Sequence, residues 1–103
     1  MDKVVFDTNA YRKFVLGKSL QQVRTDILRI NILENEAGIV AQQSVVVLSE
    51  LFKHLVDKND INYENCKLAV VASVFHCGKS FDNEETMPYL PIWDKILYYT
   101  NSN

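Results

Sequence analysis

The sequence predicts an α/β fold in which a short parallel sheet is flanked by helices. Three observations carry this. Two apolar, β-branched runs, Lys3–Phe6 and Ile39–Ala41, each stop at polar residues, as buried parallel strands do. Between and after them, apolar residues recur at three- and four-residue spacing, the period of amphipathic helices. The balance of 48% apolar and 23% charged residues belongs to an ordinary globular domain, not to a disordered chain. With 103 residues, and about 150 per typical domain, residues 1–103 form one domain.

The elements follow in order. After the first strand, Asp7, Thr8 and Asn9 break the apolar run and cap a helix beginning near Ala10, kept brief by Gly17. From Ser19 to about Ala37, Leu20, Val23, Ile27, Ile30 and Leu33 form one buried stripe, with Arg24, Arg29, Glu34 and Glu36 off it. Gly38 suits a left-handed helix stop. Ser44 caps the helix after the second strand, which is expected to reach about Asp57. Val47, Leu48, Leu51 and Leu55 make its packing face, while Val46, Glu50 and Lys53 share another side. A fourth helix is expected over Tyr63–Cys77, capped by Asn62, stopped by Gly78, with Leu68, Val71, Ala72 and Phe75 in its stripe. Residues 79–90 are polar and contain Pro88, which reads as a loop, and Pro91 opens a last short helix within 91–100. The order is β-α-α-β-α-α-α: two strands and about five helices. Two parallel strands make a poor sheet, and a central first strand wants a neighbour on each side. The expectation is therefore of the N-terminal part of a larger fold.

Several function classes are disfavoured at once. The longest nearly uncharged stretch, Leu68–Gly78, has 11 residues, against roughly 20 for a membrane span. The start MDKVVFD carries an early acid and no long apolar core, so no signal peptide is expected. Eleven basic against 13 acidic residues give a net charge of −2, which is not the footprint of a dedicated nucleic-acid binder. An enzyme meeting nucleic acid through metal ions remains compatible with it. Cys66 and Cys77 lie 11 residues apart on one helix, too far to bridge at about 1.5 Å of rise per residue. Reduced thiols and a cytoplasmic location are expected.

Chemistry points to two carboxylates. Asp7 stands at the C-terminal end of the first strand, the edge of an open α/β sheet where ligands collect. Glu50, 43 residues later, lies on a helix that starts at the same edge, so the two can converge. Asp7 alone reads as a helix cap, and Glu50 alone as an exposed helix residue. Together they suit Mg²⁺ or Mn²⁺, hard cations held by one or two carboxylates with waters and phosphate oxygens.

The string VVFDTNAYRKFV (Val4–Val15) resembles the opening of PIN domains, and IVAQQSVVVLSELFKHL (Ile39–Leu55) resembles their second block. The likeness covers the first 55 residues well and the chain to Gly78 loosely. It implies a PIN-like three-layer fold and a metal-dependent ribonuclease, with the toxins of bacterial toxin–antitoxin pairs among the family. It makes Asp7 and Glu50 the metal ligands, supported by Thr8 and Asn9. The family's third acid, in a pattern like D-x-x-I-x-A-x-A, is missing. Asp94 is the nearest candidate, but Lys95, Leu97 and two tyrosines replace the small residues expected after it. Asp82, Glu84 and Glu85 read as solvated loop residues.

The implied partners are an RNA substrate, touched by Arg12 and Lys13, an antitoxin-like protein, and a second copy in a homodimer. No membrane partner is expected. His54, four residues after Glu50, is either a ligand, a base or an ordinary surface histidine. His76 and Cys77 close a helix where a cationic histidine suits the dipole, and without a second such pair a zinc site is not indicated. Tyr89, Trp93, Tyr98 and Tyr99 either stack bases or pack at an interface. The alternative to a ribonuclease completed by further acids is a non-catalytic PIN-like interaction module or dimerising fragment. A phosphatase of the haloacid-dehalogenase type wants a second acid two residues after the first, where this chain has Asn9.

Overall fold

The computed structural model describes residues 2–77. Their order is β1 (Asp2–Val4), α1 (Thr8–Phe14), α2 (Leu20–Glu36), β2 (Ile39–Ala41), α3 (Val45–Phe52), a 3-10 turn (Lys53–Leu55) and α4 (Tyr63–Cys77). The described residues thus form an α/β arrangement of four α-helices and a two-stranded parallel sheet. The expected loop over 79–90, the fifth helix over 91–100, Asp94, and the aromatic group from Tyr89 to Tyr99 lie outside them.

In the sheet, Asp2 stands opposite Ile39, Lys3 opposite Val40 and Val4 opposite Ala41. The Gln42 N–H donates to the Val4 carbonyl at 2.8 Å and closes the ladder. β1 therefore ends two residues short of the expected Phe6. Val5, past the ladder, is 43% exposed, and Phe6 turns inward to meet the His76 ring edge-on at 4.6 Å between centroids. β1 is also less buried than expected. Asp2 and Lys3 are exposed, and the strand has one neighbour among the described residues.

The helix starts follow capping chemistry. Asp7 accepts the Ala10 N–H at 2.7 Å, which places the first residue of α1 at Thr8, two earlier than expected. Ser19 and Ser44 accept the N–H groups of Gln22 and Val47 at the starts of α2 and α3. Gly38, at φ +72°, ends α2 in the left-handed region as expected. Of the predicted α2 stripe, Val23 and Ile27 are buried and Ile30 half-buried, but Leu33 is 64% exposed. The reason is the side on which α4 lies. Asn31 donates to the Phe75 carbonyl at 3.2 Å and Glu34 meets His76, so the inward stripe runs through 27, 31 and 34. Glu34, expected on the solvent side, is accordingly largely enclosed.

α3 stops at Phe52 and tightens into the 3-10 turn, not continuing to Asp57. Aspartate side chains then take over from helical bonding. Asp57 accepts the Asn59 N–H at 2.9 Å, and Asp60 accepts the Asn62 N–H at 2.8 Å. Asn62 begins α4 through its backbone carbonyl, which accepts the Cys66 N–H. Its side-chain oxygen goes to Arg12 (Nη2 to Oδ1, 2.9 Å) in place of the expected cap.

α4 is the centre of the fold. It packs on α1, α2 and α3, and Cys66, Ala69, Val70, Val71, Ala72, Ser73, His76 and Cys77 are all buried. The expected stripe names one face of a helix that is enclosed on nearly every side, and its Leu68 and Phe75 are only half-buried. Small residues at 69 and 72 allow neighbouring backbones to approach. Leu48 and Leu51 of α3 complete the centre with no exposed surface.

A polar chain crosses this interior. His76 Nε2 meets the Glu34 carboxylate at 2.7 and 3.0 Å, and its Nδ1 meets the Tyr11 hydroxyl at 2.7 Å. The same hydroxyl lies 3.2 Å from Cys77 Sγ. His76 is thus a buried partner of Glu34 and Tyr11, a role the dipole reading did not anticipate. Burial pushes the Cys77 thiol up to about 11, raises Cys66 as well, and carries the Tyr11 phenol far above its usual range. Because these groups are held protonated, their linkage favours the folded chain least above pH 8.5 or so, where unfolded thiols ionise. Both cysteines are free, as expected. They are expected to resist Ellman's reagent at pH 8 in the native chain and to react at once in urea. Fast native reaction of both thiols would show that α4 opens readily.

Candidate functional site

The strand–turn–helix at Asp7 and the start of α3 face each other, and a cleft of about 420 Å³ opens between them. Asp7, Thr8, Asn9 and Arg12 form one wall; Val46, Val47, Glu50, Lys53 and His54 form the other. The two walls touch through a hydrogen bond from the Thr8 hydroxyl to Glu50 Oε2. Residues 43 apart in sequence therefore share one site, as the sequence predicts for Asp7 and Glu50. Asp7 serves as a cap through Oδ1 only, so Oδ2 is left for another partner. Both carboxylates are exposed and line the cleft.

Of the supporting residues, Thr8 holds Glu50, while Asn9 lines the cleft. Arg12 is fixed more firmly than an exposed helix residue. Its Nε donates to Asn65 at 2.8 Å, its Nη2 to Asn62, and Asn65 donates back to the Arg12 carbonyl at 3.1 Å. The guanidinium is thereby held at the border of the cleft and a second, smaller groove that Lys13, Leu16, Asn62 and Asn65 also line. Lys13 belongs to that groove and not to the cleft. No group of three or more His, Cys, Asp or Glu residues suited to a metal occurs among the described residues.

The sequence leaves His54 open as a ligand, a base or a surface histidine, and gives no sign of Asp60. His54 lines the cleft half-buried, with Nδ1 at 3.0 Å from Asp60 Oδ2. The partnership of Asp60 arises from the turn after α3, so helical spacing gives no signal for it. The Asn62 N–H and then His54 stabilise the charged carboxyl and hold Asp60 below the usual aspartate range. A carboxyl lowered in this way adds stability above its unfolded pKa of about 3.9 and loses it as pH falls through the folded value. At neutral pH it is an ionised acceptor, so His54 Nδ1 carries the proton in this contact. Lys53 adds a third basic side chain to the cleft beside Arg12 and His54.

The cleft is bipolar in composition, with two carboxylates and three basic groups. Such a set can bind a divalent cation and a phosphate together. No helix among the described residues is long and apolar enough to cross a membrane. No family model matches the chain, and neither a curated protein nor a solved structure matches it significantly.

Proposed function

We propose that the chain is a metal-dependent endoribonuclease of the PIN type, hydrolysing RNA phosphodiester bonds with Mg²⁺ or Mn²⁺ in the cytoplasm. A three-layer PIN-like fold, an antitoxin-like partner and a homodimer belong to the same reading. The observation that supports it is the convergence of Asp7 and Glu50 on one cleft, tied by Thr8. The residues present fit a hard cation: both donors are exposed carboxylates on rigid elements, each with an oxygen not used in the contacts above. When bound, the cation supplies a water of lowered pKa and neutralises charge building on the phosphate.

The chain's own residues do the rest. Thr8 holds Glu50 toward Asp7, and the Ala10 N–H fixes the Asp7 carboxylate, so neither has to be ordered when substrate arrives. Arg12, anchored by two asparagines, and Lys53 set positive charge where a phosphate enters. A third ligand, for which Asp94 is the sequence candidate, would tighten the site.

The second reading is a non-catalytic interaction module. It is favoured by the count of two acids and by the exposed Leu28, Ile32 and Leu33 on α2. A calorimetric Mn²⁺ titration of the whole chain beside Glu50→Gln separates the two. Saturable binding that Glu50→Gln loses, followed by Mn²⁺-dependent cleavage of single-stranded RNA, is expected. Absence of binding in the unaltered chain would leave the interaction module standing.

A further inference from the structure

We propose that His54, oriented by Asp60, is a further catalytic residue of this cleft, delivering a proton to the leaving oxygen of the cleaved phosphodiester. The assignment rests on the hydrolase reading above and adds a role that the two carboxylates do not fill.

His54 follows Glu50 by one turn along the same side of α3 and the 3-10 turn, about 6 Å further along at helical rise. Asp60 is itself locked, since Oδ1 accepts the Asn62 N–H at 2.8 Å while Oδ2 meets the ring at 3.0 Å. The histidine is therefore held through Nδ1, and Nε2 is the nitrogen left for exchange with a bound group. A carboxylate–histidine pair beside two further carboxylates divides the work: the pair that is negative receives a proton, and the histidine gives one.

In the step, the attacking water oxygen bonds to phosphorus and loses its proton to a carboxylate of the Asp7–Glu50 pair. The bond between phosphorus and the leaving ribose oxygen breaks, and its electron pair stays on that oxygen. The Nε2–H of the His54 imidazolium then protonates it, and the proton taken by the carboxylate returns through solvent to the histidine, which restores both groups. One water is added across one P–O bond.

Two substrates test the role, each with Mn²⁺ as the only added cation. An RNA dinucleotide leaves through a ribose oxygen that needs a proton, whereas bis(p-nitrophenyl) phosphate leaves as a stable phenolate that does not. His54→Gln is expected to slow RNA cleavage on the order of 10²- to 10³-fold and the nitrophenyl ester less than about threefold. Asp60→Asn should show the same selectivity in milder form. Equal losses on both substrates, or undiminished RNA cleavage, would overturn the assignment while leaving the hydrolase reading in place.

A chain that neither binds Mn²⁺ nor cleaves either ester removes the hydrolase reading and this role with it. A readout independent of turnover comes from nitrogen NMR of the metal-free chain. Neutral His54 is expected as the Nδ1–H tautomer, and Asp60→Asn should abolish that preference. An Nε2–H tautomer in the unaltered chain would also overturn the proposal.

Discussion

Asp7→Asn is expected to abolish Mn²⁺ binding and cation-dependent RNA cleavage with almost no change in stability, whereas Asp7→Ala is expected to lose both. The difference follows from the two tasks of one carboxylate. Oδ1 caps α1 by accepting the Ala10 N–H, a bond that an asparagine oxygen makes equally well. The charge, and the second oxygen as an anionic donor, are what a divalent cation needs, and asparagine supplies neither. Alanine also removes the cap, at about 1 kcal/mol, which in a domain this small lowers the melting temperature by about 4–8 °C. Calorimetry, circular dichroism melts and an RNA cleavage assay on the three proteins check this together. If Asp7→Asn retained binding at full strength, the cleft would not be a cation site built on Asp7. If it destabilised as much as Asp7→Ala, the charge would matter mainly to the helix.

His76→Ala is expected to be the most damaging single change among the described residues, at about 3–5 kcal/mol. The imidazole is the shared partner of Glu34 and Tyr11, and its side chain is almost wholly enclosed. Removing it strands a carboxylate between α2 and α4 and leaves the Tyr11 hydroxyl with only the weakly bonding Cys77 thiol. Domains are stable by only about 5–15 kcal/mol, so this chain should be close to unfolded at 37 °C. Replacing both members, Glu34→Leu with His76→Leu, should recover much of the loss, because no buried charge is then left alone. Urea titrations of the single and double variants measure it. A cost below about 1 kcal/mol for His76→Ala would mean that water or local movement satisfies Glu34.

What the sequence made legible follows from what is local. The serine cap at 44 and the glycine stop at 38 depend on neighbours a few residues away, and both appear where expected. The convergence of Asp7 and Glu50 was readable because strand and helix starts fall at one edge of a parallel sheet. The Glu34–His76–Tyr11 chain was not, since it depends on which side of α2 receives α4. A signal for that existed: residues 69–72 read Ala-Val-Val-Ala, with no polar side to face water. The dyad at His54 and Asp60 was hidden for another reason. Its aspartate belongs to a turn whose side chains bond the backbone, and such turns leave no periodic trace.

The central place of α4 also sets a timetable. Every other helix packs on an element that is the last of those described to leave the ribosome. Until Cys77 has been made, the sides of α1, α2 and α3 that α4 covers are open, and only the contacts of α1 with α3 and of α2 with β2 can form among the helices of the first sixty residues. At about 5–20 residues per second that exposure lasts for seconds, long enough for chaperone capture or for association between neighbouring nascent chains. A translational pause just before residue 63 would prolong that exposure.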